Sequence, residues 1–188
     1  YGETLVEPKI LLPDNEACLR LPGIDGKAKM SKSLGDCIYL AEDPKDIKKK
    51  VMSMFTDPNH IRIEDPGSLE GNTVFTYLDA FCNDQHFEEY LPDYKNLDEL
   101  KEHYQRGGLG DVKVKKFLNN VLQEELEPIR KRREELQKDI PYVYEVLKKG
   151  SEVARETAAQ TLHEVRDAMK INYFDDMELI RSQAKKYE

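Results

Sequence analysis

The chain has 188 residues, of which 39% are hydrophobic and 35% are charged, and its formal net charge is −8. A chain of this length and composition buries one good core, is globular and favours helix, and is neither disordered nor embedded in a membrane. The negative charge argues against a general affinity for nucleic acid, so an RNA partner has to meet a local basic patch.

The first elements along the chain are short apolar runs with β character, in residues 4–22. Pro8, Pro13 and Pro22 divide these runs, and proline inside such a run is typical of an edge strand or a bend. We therefore expect a short β or loop segment here. The next segment, Gly26–Gly35, carries lysines on every side and a glycine at each end, which favours an exposed, mobile loop.

Helical patterns begin after this lysine loop. Asp43 and Pro44 are typical of a helix start, as N-cap and first helical residue. A long polar loop follows, and Asn72 then predicts a second helix with an apolar stripe. Asn96 or Asp98 begins a third helix, which a Gly-Gly pair ends.

The last part of the chain predicts longer helices. Asp111 is expected to cap one of them, and Pro128 is expected to kink or interrupt it. Pro141 opens a further helix that Gly150 ends, Ser151 begins another with a stripe of small residues, and a polar tail helix follows. The predicted fold class is mainly α, a helical bundle preceded by a short β or loop segment.

The lysine loop contains a specific motif. Lys29-Met30-Ser31-Lys32-Ser33 matches the KMSKS signature of class I aminoacyl-tRNA synthetases at every position. An arbitrary loop of this composition is most often a solvated turn, but five specified positions in a row are much more specific than a spaced glycine pattern.

The similarity extends from about residue 5 to about residue 174, and this longer stretch resembles bacterial tryptophanyl-tRNA synthetases. The segments that carry it are Leu19–Gly23, Gly35–Leu40, Lys48–Asp57, Glu70–Leu78, Gly107–Lys113 and Leu126–Arg130. One departure is that the other signature of the family, an HIGH-type motif, is absent. We therefore interpret the chain as the C-terminal half of a synthetase.

This resemblance implies a domain order and a reaction. Residues 1–41 are expected to end a Rossmann-type catalytic domain and to include the KMSKS loop, residues 42–174 to form the helical anticodon-binding domain, and residues 175–188 to form the tail helix. The reaction is the ATP-dependent activation of tryptophan and its transfer to tRNA(Trp), with the chain inactive on its own. The resemblance further implies ATP with Mg²⁺ as substrate, no protein-bound metal or prosthetic group, a homodimer in the intact enzyme, a cytoplasmic location, and no membrane or DNA partner.

The expected site is the motif itself. Amino-acid activation expels pyrophosphate from ATP, so negative charge builds up on the leaving group and nearby positive charge lowers the barrier. Lys29 and Lys32 are the expected catalytic residues. The whole run from Lys29 to Ser33 is the expected ATP-binding site, in which Ser31 and Ser33 add donors and Met30 anchors the loop.

Four basic residues are candidate tRNA contacts. Lys113 and Lys116 share one face of the predicted long helix, and Arg130 and Arg133 follow its proline. Charge runs on helices are mostly solvated faces. An acidic chain that binds a polyanion must nevertheless concentrate its positive charge, and arginine can stack on unpaired bases as well as pair with phosphate.

Two other functions remain open from the residues alone. A tyrosine–tRNA ligase has a closely related fold and loop, and the residues that select the amino acid are expected outside this chain. A non-catalytic helical module that binds RNA or protein is the second, although the complete motif disfavours it. A Walker A phosphate site fails on spacing because Ala28 follows Lys27, and the scattered cysteines and histidines support no metal site.

Overall fold

Helices dominate residues 1–187, which are the residues that this computed structural model describes. They are α1 Pro44–Ser53, α2 Thr73–Phe81, α3 Asp84–Tyr90, α4 Leu97–Arg106, α5 Asp111–Gln137, α6 Ile140–Met169 and α7 Met177–Ala184. The mainly α prediction is therefore confirmed. In this part of the chain no helix combines the length and apolarity needed to cross a membrane. Glu188, the end of the predicted tail 175–188, lies outside the described residues.

Of the two alternatives predicted for residues 4–22, a short β or loop segment, the structure shows a loop and no strand. Within the described residues this stretch contains a 3₁₀ helix at Glu16–Cys18 and one isolated bridge, between Pro22 and Lys29. A strand needs a partner for its backbone N–H and C=O groups, and each proline removes one donor. The 3₁₀ helix instead lies against α2, where the Asn15 amide donates to the carbonyl of Asp79 at 2.9 Å and the exposed Cys18 lies nearby.

The helix starts predicted from capping residues are confirmed for three helices. The side chain of Asp43 accepts a hydrogen bond from the backbone of Lys45, and Asn72 and Asn96 act in the same way at α2 and α4. These caps satisfy N–H groups that have no partner inside the helix. The predicted glycine stop is also confirmed, because α4 ends at Gly107 with φ at 88°.

The helix end predicted at Gly150 is wrong, and of the two effects predicted for Pro128, a kink or an interruption, the interruption does not occur. α5 continues through Pro128, and α6 continues through Gly150. Near the proline, the Arg130 guanidinium donates to the carbonyl of Gln123 at 3.3 Å and to its side chain at 3.0 Å, which adds hydrogen bonds within this part of α5. A glycine inside a helix costs only about 0.5–1 kcal/mol relative to alanine, less than it takes to end a long helix.

The chain divides into two compact units. One comprises residues 12–135, and the other comprises residues 1–11 together with the chain from Leu136 onward. The core belongs to the first unit, where side chains from α1, α2, α4 and α5 are fully buried; among them are Ile47, Leu78, Leu100 and Leu118. Full burial of a side chain of this size contributes roughly 1.5–3 kcal/mol. The domain boundary predicted at residue 41 remains a prediction.

Candidate functional site

Main-chain hydrogen bonds hold the base of the lysine loop. The Gly23 N–H donates to the Ala28 carbonyl at 2.8 Å, and the Met30 N–H donates to the Leu21 carbonyl at 3.1 Å. Together with the bridge at Lys29, these bonds form a short antiparallel turn. The first half of the motif is therefore fixed in place.

Hydrogen bonds from α2 and from the segment after α1 also hold the base of the loop. The Tyr77 hydroxyl of α2 donates to the Pro22 carbonyl at 2.8 Å, and the Phe55 N–H, just after α1, donates to the Ile24 carbonyl at 2.8 Å. Burial raises the pKa of Tyr77, so its hydroxyl stays protonated and able to donate at neutral pH. The Met30 side chain packs against the core, where the sequence analysis expects an anchor.

The tip of the loop is exposed. Lys29, Lys32 and Ser33 are all open to solvent, and within residues 1–187 no carboxylate lies within 4.0 Å of either ammonium group. The hydroxyls of Ser31 and Ser33 are 2.9 Å apart. The motif thus presents two lysines and paired hydroxyls with no internal counter-charge.

The two glycines that flank the loop differ in freedom. Both have left-handed backbones, with φ of 71° at Gly26 and 70° at Gly35. A Cβ on Gly26 would lie 2.8 Å from the Thr73 hydroxyl and 2.9 Å from the Phe55 ring, whereas a Cβ on Gly35 would meet nothing within 4 Å. Gly26 is therefore packed against α2 and against Phe55 after α1, whereas Gly35 lies in open space.

Asp36 is part of the site although the sequence analysis did not select it. Its Oδ1 accepts a hydrogen bond from the Ser31 N–H at 2.7 Å, and the residue is only 7% exposed. Its own carbonyl accepts from the Ile24 N–H at 2.9 Å. The available signal was an Asp five residues after Ser31 in a glycine-containing loop, because Asp side chains readily accept backbone N–H groups in turns.

A second polar cluster surrounds Asp111, which does not act as the predicted helix cap. Its Oδ1 accepts from the Tyr104 hydroxyl at 2.7 Å and faces His60 Nδ1 at 3.1 Å, while its Oδ2 accepts from the Thr56 hydroxyl at 2.9 Å. The Asn72 amide donates to the Tyr104 hydroxyl at 3.2 Å. This cluster fastens the loop after α1 to the ends of α4 and α5.

The first two tRNA candidates line one open cleft at the start of α5. Lys113 and Lys116 border it together with Tyr94 and His103, and its volume is about 610 Å³. The Lys113 ammonium lies 5.4 Å from the centre of the Tyr94 ring and 3.0 Å from an Asp93 carboxylate oxygen. Tyr94 and His103 share a hydrogen bond of 2.7 Å. No sequence motif indicated these two aromatic side chains, which come from different segments.

The other two candidates are remote from this cleft. Arg130 and Arg133 lie about four to six turns further along α5, about 20–30 Å away at 1.5 Å per residue. Arg130 is half-buried and bonded to Gln123, so it stabilises its own helix. Arg133 is exposed, and among residues 1–187 it has no carboxylate within 4.0 Å, whereas its neighbour Arg132 pairs with Glu135 at 3.2 Å.

Comparisons with known proteins agree with this arrangement. The family profile described as class I tRNA synthetases (W and Y) matches residues 2–127. A tryptophan–tRNA ligase of Clostridium longisporum is 62% identical over 178 residues, covering 94% of this chain and 49% of that protein. One from Streptococcus agalactiae serotype V is 56% identical over 172 residues, covering 92% and 48%.

Solved structures give the same result for the fold. A tryptophanyl-tRNA synthetase from Campylobacter jejuni, crystallised with ADP and tryptophan, superposes with a TM-score of 0.62 at 26% identity. The match covers 80% of this chain and 43% of that one. The chain thus spans about half the length of the relatives that it matches.

Proposed function

Because the chain belongs to the class I tRNA synthetases of the W and Y type, we propose that it serves in tryptophan–tRNA ligation and contributes the lysine loop and the tRNA-binding helices. The observation that carries this proposal is the complete Lys29–Ser33 motif. It is exposed at the end of the turn that main-chain hydrogen bonds hold together at residues 21–30, which we call the braced turn. The similar proteins named above are tryptophan ligases, which favours tryptophan over tyrosine as the amino acid.

The proposed role of the loop is to meet the triphosphate of ATP. Lys29 is held on the braced turn and Lys32 lies at the exposed tip, so the two ammonium groups approach a bound nucleotide from different parts of the loop. Positive charge placed where pyrophosphate departs stabilises the transition state more than the bound substrate. The Ser31 and Ser33 hydroxyls supply further donors, and Mg²⁺ enters with ATP as part of the substrate.

The proposed tRNA site is the cleft at the start of α5 rather than the arginine cluster as a whole. Lys116, which has no carboxylate within 4.0 Å among residues 1–187, offers charge for phosphate, whereas Lys113 is already paired with Asp93 at 3.0 Å. Tyr94 and His103 line the same cleft, and aromatic rings can stack on unpaired bases. Arg133 stays a candidate for a separate phosphate contact. Arg130 is a weaker candidate because its guanidinium is already bonded within α5.

The remaining expectations follow from the same function. They are tRNA(Trp) as the acceptor, a homodimer as the working state and a cytoplasmic location, and each rests on the family resemblance. The non-catalytic alternative predicts instead that the lysine loop can be altered without effect on any reaction.

The test is a hybrid enzyme in which this chain replaces the matching half of the Clostridium longisporum ligase, to which it is 62% identical. We expect tryptophan-dependent exchange of pyrophosphate into ATP, with tyrosine inactive, and charging of tRNA(Trp). Because the Clostridium half selects the amino acid, the tyrosine alternative is tested at the transfer step, where charging of tRNA(Tyr) in place of tRNA(Trp) would establish it. A well-folded hybrid without exchange would contradict a catalytic role for this chain.

A further inference from the structure

We propose that Asp36 is a positioning residue that closes the base of the Lys32–Gly35 segment and thereby sets where the Lys32 ammonium is presented. This inference rests on the proposed function, because it assigns a consequence to the place of Lys32. The hydrogen bond from the Ser31 N–H to Asp36 Oδ1, which we call the clasp, lies within this chain and can be tested without any reaction.

The clasp has one buried carboxylate and one amide. Asp36 Oδ1 accepts from the Ser31 N–H at 2.7 Å, in a residue that is 7% exposed. Burying a carboxylate is costly unless donors replace the lost water. Within residues 1–187 no cation lies within 4.0 Å of this carboxylate, so the short bond from Ser31 is its charge-assisted partner.

Gly23 provides the space in which the carboxylate lies. A Cβ at position 23 would be 2.1 Å from Asp36 Oδ2 and 2.6 Å from its Cγ. Any other residue at position 23 therefore has to displace the Asp36 side chain. The main chain also joins these two segments, because the Ile24 N–H donates to the Asp36 carbonyl at 2.9 Å. The turn at 21–24 and the end of the lysine loop thus form one packed unit.

The clasp affects the two lysines differently. Lys29 belongs to the braced turn, whose bonds to Leu21 and Gly23 do not involve Asp36. Lys32 lies between Ser31 and Gly35. Among residues 1–187, the one main-chain hydrogen bond of this segment runs from the Gly35 N–H to the Lys32 carbonyl at 3.2 Å. With both ends of this short exposed segment tied at Ser31 and Asp36, the clasp sets the direction in which Lys32 extends.

The first experiment measures hydrogen exchange at the Ser31 amide in the present chain. In Asp36→Ala we expect exchange to be about 10-fold faster, as loss of one net hydrogen bond implies. Asp36→Asn keeps an oxygen acceptor and should retain most of the protection. Gly23→Ala should behave like Asp36→Ala although the aspartate is present. Equal exchange in wild type and Asp36→Ala would refute the clasp.

The second experiment uses pyrophosphate exchange in the hybrid enzyme described above. Asp36→Ala should lower kcat by about 10- to 10²-fold through misplacement of a catalytic group, with little change in the KM for tryptophan, and Asp36→Asn should recover most of the loss. In a Lys32→Ala background the same Asp36→Ala change should cost almost nothing further. In a Lys29→Ala background it should keep its full effect.

These outcomes separate the two proposals. If Asp36→Ala lowers kcat equally in the Lys32→Ala background, Asp36 does not act through Lys32 and the inference fails while the proposed function stands. If the wild-type hybrid is inactive but Ser31 exchange follows the expected pattern, the proposed function fails and the clasp remains as a structural feature.

Discussion

Tyr104 reaches the Asp111 carboxylate while its ring packs between two others, with centroid distances of 4.8 Å to both His60 and Phe75. Its hydroxyl oxygen also accepts a hydrogen bond from the side-chain amide of Asn72. Removal of its hydroxyl would take one hydrogen bond from the Asn72 amide and one from Asp111 Oδ1, which still faces His60 Nδ1. This side chain therefore contributes to stability through hydrogen bonds as well as packing.

We expect Tyr104→Phe to lower the free energy of unfolding by about 1–3 kcal/mol at neutral pH, because a hydrogen bond to a carboxylate and one from a neutral amide are lost. Urea titration followed by circular dichroism measures this change. Tyr144→Phe is the matched control because Tyr144 is 70% exposed. Equal effects of the two substitutions would show that the hydroxyl network carries no stability.

The same residue predicts a pH dependence. Burial, followed by the hydrogen bond to Asp111, raises the pKa of Tyr104 above its ordinary value of 10.0. Above about pH 10 the unfolded chain then releases a proton that the folded chain retains, so stability is full below that pH and falls as the pH rises. Between about pH 9 and 11, wild type should lose stability more steeply than Tyr104→Phe, by up to about 1.4 kcal/mol per pH unit.

Lys32→Ala is the decisive change in the lysine loop. In the hybrid enzyme it should reduce kcat by about 10²- to 10³-fold, as loss of one transition-state charge contact does, with the KM for tryptophan nearly unchanged. Lys27→Ala is the matched control, because Lys27 is an exposed lysine of the same loop outside the motif. A loss confined to the KM, or an equal loss in Lys27→Ala, would remove Lys32 from the reaction.

The lysine motif could be predicted from the sequence because its five residues are contiguous. The role of Asp111 could not, since Thr56 and His60 become its neighbours only in the folded chain. For Asp36 the only local signal is its place five residues after Ser31. Asp111 stands at the start of α5 and therefore looks like a cap, yet its oxygens accept hydrogen bonds from Tyr104 and Thr56. Local preference was overruled by contacts from other segments.

Helix ends likewise can be predicted only where they depend on neighbouring residues. Caps at Asp43, Asn72 and Asn96 were predictable because each depends on a side chain and the backbone two or three residues later. The breaks expected at Pro128 and Gly150 depend on how much the rest of each helix stabilises it. In helices of 27 and 30 residues, one unfavourable position does not end the element.

Gly150→Ala should stabilise α6. The glycine is helical and exposed, and a Cβ there would meet nothing within 4 Å, so alanine should raise the free energy of unfolding by about 0.5–1 kcal/mol. Gly71→Ala is the matched control, with equally open space but φ at 70°, and it should destabilise. Thermal unfolding measures both changes. No gain from Gly150→Ala would indicate that the helix is broken there.

For the molecule as a whole, charge distribution matters more than net charge. The formal net charge of −8 repels RNA, yet Lys113 and Lys116 line one cleft at the start of α5, and the exposed Arg133 lies further along the same helix. The acidic overall composition and local cationic clusters were predictable from the sequence. The separation of the clusters along one unbroken helix was not, because a break at Pro128 was expected.

In the hybrid enzyme, Lys116→Ala should weaken charging of tRNA(Trp) while tryptophan-dependent pyrophosphate exchange persists. As a phosphate contact, it should also reduce the salt dependence of tRNA binding by about one unit of slope. Arg133→Ala tests the other candidate separately. Lys149→Ala is the control, because that lysine pairs with Glu145 at 2.8 Å. If Lys116→Ala and Lys149→Ala charge tRNA equally well, the cleft is not the tRNA site.

The three cysteines differ enough to permit labelling at a single natural position. Cys37 is 4% exposed, and burial raises the pKa of Cys82 to about 12, whereas Cys18 is exposed in the 3₁₀ helix. Because the thiolate is the reactive form, a maleimide dye at neutral pH should attach to Cys18 first. Mass spectrometry of the digested conjugate verifies this. The dye would then report, by its fluorescence, whether the segment before the lysine loop stays against α2 when nucleotide is added.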